Sequence, residues 1–202
     1  MDNSLLAVRD INHKYIVVGR GTKIFYLTKN IWNSILLDFK QPISYLIPAI
    51  IITVFLATIY KIYRRGRVRI TFASLLLIIY IQVVLQTAFF SREPGSRTQM
   101  DLRLFGTWGE TPIAYAYFIE NIIMFIPFGV LMPMVFKRRK KLRYCVFAGF
   151  LFSCIIEISQ LITQRGFCQL DDVVTNTVGT LVGWGIWYCG NYFIESRRNN
   201  FG

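Results

Sequence analysis

Residues 70–90 read ITFASLLLIIYIQVVLQTAFF, twenty-one positions without a charged side chain. A helix rises 1.5 Å per residue, so about 20 apolar residues cross the roughly 30 Å of a bilayer's hydrocarbon, and such a run predicts a transmembrane helix. The reading extends outward from there. Residues 43–60 (ISYLIPAIIITVFLATIY) carry no charge, residues 113–136 only Glu120, residues 144–163 only Glu157, and residues 173–194 none. The chain is therefore expected to be an all-α, polytopic protein of the cell membrane with about five transmembrane helices. The first run starts deep in the chain and ends in a basic loop without a small-residue cleavage pattern, so it does not read as a cleaved signal peptide.

Composition points the same way. Hydrophobic residues make up 54% of the 202, charged residues 17%, and mean hydropathy is +0.44. A net charge of +12 would by itself suggest nucleic acid, but its distribution is that of a topology signal, because short cytoplasmic loops concentrate Lys and Arg. Segments 61–69, 137–143 and 195–202 hold thirteen basic residues, whereas 91–112 and 164–172 hold four, Arg92, Arg97, Arg103 and Arg165. No nucleic-acid partner is expected; anionic-lipid contact is. The C-terminus is expected inside and, with five spans, the N-terminus outside. This gives an extracytoplasmic or interfacial segment over residues 1–42 and a helical membrane domain over 43–202. Within the first, residues 15–27 are expected to form a hairpin turning at Gly19 to Gly21, and residues 30–39 an amphipathic helix lying in the interface.

Cys145, Cys154, Cys168 and Cys189 show no metal-finger spacing, and the lone His13 lies in the N-terminal segment. A Ser-His-Asp or Cys-His mechanism inside the bundle is excluded.

Ionisable groups in hydrocarbon are costly, and each one is a candidate for function. Counted from the expected outer ends, Glu120 and Asn121 lie about two turns in, roughly 10–12 Å deep. Glu157 and Gln160 lie within about 9 Å on the same rise, and Asn176 is one turn below Asp171 and Asp172. Three helices thus bring their polar groups to one depth. Ser153, Glu157, Gln160 and Gln164 share a helical face, as do Asp172, Asn176, Gly179 and Gly183. The two glycines read as small-residue packing positions for another helix. Pro127 and Pro133 each remove a backbone donor, freeing the Ile123 and Gly129 carbonyls four residues earlier.

The blocks ENIIMFIPFGVLMP, IEISQ and LDDVVTNTVGTLVGW, spread over roughly residues 115–187, resemble the core of the VanZ-like family, membrane proteins named after a teicoplanin-resistance determinant of Gram-positive bacteria. The VanZ-like core is expected over about residues 113–194. Asn121, Pro127, Gly129, Glu157, Gln160, Asp172, Asn176 and Gly179 fall on the matching positions. Many members place a further acid shortly before the Asp pair, where this chain has Gln169, which tells against a three-acid metal site. What the resemblance implies is envelope-linked glycopeptide resistance; it supplies no reaction.

Two readings of the polar cluster stand. In the first, Arg97, Arg103, Glu120, Asn121, Glu157, Gln160, Arg165, Asp171, Asp172 and Asn176 form a ligand-binding pocket open to the outer leaflet. The arginines hold phosphate or carboxylate, and the partner is a lipid-linked envelope precursor or the glycopeptide itself. In the second, the carboxylates act on a lipid-linked phosphate with Glu157 and Asp172 as catalytic candidates. No cofactor or metal is assigned, although Asp171 and Asp172 could hold a divalent cation. Against both stands a purely structural role, Glu157 pairing with Arg165 and the amides bridging helices. Oligomeric state is not legible.

Overall fold

The structure, a computed structural model, describes residues 6–9, 15–18, 20–64, 70–90, 92, 93, 95, 100, 101, 104, 112–136, 141–166 and 168–200. Seven α-helices carry it: α1 (Arg20–Asp38), α2 (Lys40–Ser44), α3 (Leu46–Tyr63), α4 (Phe72–Leu85), α5 (Pro112–Val135), α6 (Leu142–Thr163) and α7 (Leu170–Asn200). α4 opens on Thr71, whose hydroxyl accepts the Ser74 N–H at 3.2 Å, an N-cap for one of the otherwise unpaired donors of its first turn. It ends in a turn of π-helix over Gln86–Phe90. Two pairs of strands complete the described residues: β1 (Leu6–Arg9) antiparallel to β2 (Tyr15–Val18), and β3 (Met100–Asp101) parallel to β4 (Cys168–Gln169).

Among the described residues, four stretches are long and apolar enough to cross a membrane: Thr28–Tyr63, Phe72–Phe90, Ala114–Val135 and Leu142–Thr163. The protein is accordingly an all-α, multi-pass membrane protein. The fifth expected span lies inside α7, which has the length, yet its mean hydropathy is lowered by Thr175, Asn176, Thr177 and Thr180. Thr175, Asn176 and Thr180 are buried against the other helices, so the polarity of α7 is directed inward. The whole molecule shows this inversion. Ile47, Phe55 and Ile162 are 69%, 63% and 75% exposed, whereas Thr53, Ser153, Glu157 and Gln160 are buried. Water would not tolerate that apolar outer surface, and lipid does.

The buried centre is aromatic and aliphatic: Leu77, Val84 and Ala88 of the α4 limb pack with Phe125 and Phe128 of α5 and Ile156 of α6. Phe152 stacks on Phe128 with centroids 5.4 Å apart. Beside it, α5 makes its most extensive contact with α7. A Cβ on Gly179 would strike the Ile122 carbonyl and one on Gly183 the Ile126 carbonyl, while Gly129 faces Thr180 and Trp184 from the opposite side. Small residues let the two backbones meet, as their spacing predicts. Across the α6–α7 contact, Gly149 makes room for the Thr180 side chain. Between α3 and α4, Gln82 Nε2 donates to Thr53 Oγ1 at 2.7 Å.

The N-terminal expectation is corrected. β2 pairs with β1 and not with residues that follow it, and the stretch from Arg20 is helical to Asp38. The expected helix at 30–39 is the second half of α1, which packs on α5 and buries Asn30 and Ile35.

Candidate functional site

α4 and α6 finish, and α5 and α7 start, at the same end of the bundle. The turn out of α6 sets the geometry there. Gln164 takes the left-handed conformation (φ 55°, ψ 33°), and the Arg165 N–H reaches back to the Gln160 carbonyl at 3.0 Å, closing the helix. The chain then pairs Cys168–Gln169 with Met100–Asp101, which ties the loop before α5 to the loop before α7. That placement aims the Gln169 N–H at Glu157 Oε2, 3.0 Å away. The carboxylate of a residue inside α6 is thus met by a backbone donor from the loop, the kind of partner a buried carboxylate needs.

A cavity of about 920 Å³ opens at this end. Glu120 and Asn121 of α5, Glu157 and Gln160 of α6, and Asp171, Asp172 and Asn176 of α7 all line it. Most of these groups hold one another or the backbone. Asn121 Nδ2 donates to Asp172 Oδ1 at 2.7 Å, Gln160 Nε2 to the Ala88 carbonyl at 2.8 Å, and Asn176 Nδ2 to Ser153 Oγ at 2.8 Å. Among the described residues, two buried side-chain atoms have no hydrogen-bond partner, Asn176 Oδ1 and Glu120 Oε1. Native interiors rarely leave such atoms unmatched, so each asks for an explanation. Among the described residues, no three His, Cys, Asp or Glu side chains come together closely enough to hold a metal ion.

Arg165 does not join the cavity. Its Nη1 donates to the carbonyls of Phe89 (3.3 Å) and Arg92 (3.1 Å), and its guanidinium lies 5.1 Å from the Phe89 ring centroid. It braces the end of the α4 limb against α6 and does not pair with Glu157. Arg97 and Arg103 lie outside the described residues.

Several lining residues escaped the sequence reading. Arg92 and Glu93 follow the α4 limb, Asp38 ends α1, and Tyr80 of α4 donates its hydroxyl to the Met124 carbonyl at 3.0 Å. Arg92 is the positive charge that Glu157 and Asp172 both sense. Room for it comes from Gly166, where a Cβ would stand 2.6 Å from Arg92 Nη1 and 3.0 Å from Gln160 Oε1. Glu120 faces Asp38 across the α1–α5 contact. No sequence signal marked these residues, because charges outside a span are unremarkable until the chain is folded.

The prolines divide in role. Pro127 and Ile123, whose carbonyl it leaves unbonded within the helix, both line the cavity. Pro133 is buried, and the Gly129 carbonyl it frees accepts Cys145 Sγ–H from α6 at 3.7 Å. Outside the spans, burial and the neighbouring carboxylates of Glu157 and Asp172 push the Cys168 thiol up from its ordinary range.

The sequence model of the VanZ/LLP1 family matches residues 43–193. Over 80 residues the chain is 35% identical to Protein VanZ of Enterococcus faecium, a match that covers 40% of this chain and 49% of that relative. The chain thus spans about half the length of the curated relative it matches. No solved structure matches it.

Proposed function

The chain belongs to the VanZ/LLP1 family, and from that premise we propose that it binds or shields an amphiphilic cell-envelope component in the cavity between α4, α5, α6 and α7, and so contributes to teicoplanin-type resistance. The observation that carries this reading is convergence. Asn121, Glu157 and Asn176 come from three helices, two of them antiparallel to the third, and line one space with an unsatisfied buried oxygen in its wall. Its volume of about 920 Å³ lies within the range of small-molecule sites, and its wall mixes apolar surface with a few placed polar groups. An envelope component with a polar head and a lipid tail suits a site whose outer helical faces meet hydrocarbon. The loop asymmetry of basic residues supports an opening toward the outer leaflet.

The test is retention. The protein is purified in mild detergent from cells that make it, and co-purifying lipids are identified by mass spectrometry for the wild type and for Asp172→Asn, which keeps the acceptor used by Asn121 and removes the charge. Wild type is expected to retain an envelope amphiphile that the variant loses. If the retained species is instead a cleaved or modified carrier, the second reading, an intramembrane enzyme acting on a lipid-linked phosphate, replaces this one. If Glu157→Gln, Asp172→Asn and Asn176→Ala change neither lipid retention nor teicoplanin sensitivity at normal expression, the pocket has no such role.

A further inference from the structure

The cavity wall has a charge balance opposite to that of the chain. The protein's net charge is +12, yet six of its eleven acidic residues, Asp38, Glu93, Glu120, Glu157, Asp171 and Asp172, line this one space. Among the described lining residues Arg92 is the one base. A second, independent observation concerns hydrogen bonding. Asn176 is 2% exposed, its Nδ2 is already given to Ser153, and its Oδ1 has no donor. The other buried atom without a partner, Glu120 Oε1, is also an oxygen. Two buried oxygens of the wall thus lack an N–H or O–H partner, and one base stands among six acids.

Building on the binding reading above, we propose that the cavity receives an organic ammonium group, the amine-bearing head of an amphiphile, with an N–H directed at Asn176 Oδ1 and the surrounding carboxylates balancing its charge. A bare metal ion is a poor match for a space of about 920 Å³ in which no three ligating side chains come together among the described residues. Phe39, Tyr80 and Phe118 also line the cavity, and aromatic rings favour an ammonium group over an anion. A phosphate head would face one base among six acids in the wall, and Arg165, one of the arginines expected to hold one, is hydrogen-bonded to the Phe89 and Arg92 carbonyls instead.

The experiment uses the full chain in a nonionic detergent, with hexadecylamine, hexadecyl phosphate and hexadecanol offered separately and adducts read by native mass spectrometry. A saturable one-to-one amine adduct is expected, about ten-fold tighter than either other probe, with the preference falling by about the same factor in Asp172→Asn and in Asn176→Ala. Unchanged melting of the variants in detergent verifies that they fold, and the comparison of the three probes on the wild type stands without them. Tighter binding of the phosphate overturns the ammonium assignment and leaves the pocket reading intact. If no probe saturates and the purified protein also retains no envelope lipid, both fall.

Discussion

Glu157, which is buried, and Arg165, which is half-buried, illustrate how a contact decides a role. Glu157 accepts the Gln169 N–H, so Glu157→Gln, which keeps an acceptor and the volume, is expected to melt in detergent close to the wild type. Glu157→Ala leaves that donor unpaired and should cost about 1–3 kcal/mol. A large loss in the Gln variant would show that the carboxylate charge holds the fold together. Arg165 behaves differently. It makes two bonds to backbone carbonyls and lies near the Phe89 ring, so Arg165→Ala should destabilise by about 1–3 kcal/mol. Arg165→Lys, without the planar fork, should recover little of it, and hexadecylamine binding by the folded fraction should be unaltered. Loss of binding without loss of stability would return Arg165 to the pocket. The sequence could reveal Glu157, because a carboxylate amid apolar residues stands out and helical period gives its face. It could not reveal where Arg165 goes, since that depends on one residue, Gln164, turning into the left-handed region. Asp38, Arg92 and Glu93 were equally hidden, being ordinary charges at the ends of helices.

At the level of elements, Glu157 and Gln160 of one polar stripe and Asp172 and Asn176 of the other line one cavity, because positions three and four apart remain on one face however the helices are joined; Gln164, at the end of the first stripe, turns out of the helix. The joints themselves were less legible. Residues 15–27 alternate well enough for a hairpin, but β2 finds its partner upstream, and α1 continues to Asp38 with its later half against α5. Apolarity alone also undercounts α7, whose Thr175, Asn176 and Thr180 face inward where a hydropathy average cannot see direction. The α6–α7 contact gives a clean test of such packing. A Cβ at 149 would collide with the Thr180 side chain, so Gly149→Ala should destabilise by about 1–3 kcal/mol through overpacking. Thr180→Ala should relieve most of that, giving a coupling of about 0.5–3 kcal/mol in a double-mutant cycle measured by thermal unfolding in detergent. Additive losses would mean that the two helices are not packed through this pair.

For the whole molecule, the open physical question is which way the cavity faces. A helix bundle has the same internal contacts either way up, so packing cannot decide it. The charge outside the hydrocarbon can, because basic loops resist translocation. Thirteen basic residues in segments 61–69, 137–143 and 195–202, against four in 91–112 and 164–172, support the proposal that the end bearing Glu93 faces outside and the end bearing Arg64 inside. Both residues are exposed, so each can be replaced by cysteine with little effect on the fold. The chain's own thiols differ in how much they interfere. Cys145 is buried and hydrogen-bonded to the Gly129 carbonyl, and Cys154 and Cys168 are half-buried, the Cys168 thiol pushed up by burial, whereas Cys189 is exposed. In a Cys189→Ala background, a membrane-impermeant maleimide added to intact cells should therefore label Glu93→Cys readily. Arg64→Cys should react only after the membrane is opened. If Arg64→Cys reacts first, the cavity opens to the cytoplasm, and its ligand must be sought among amines of the inner leaflet or the cell interior, with the carboxylate-lined wall and its chemistry unchanged.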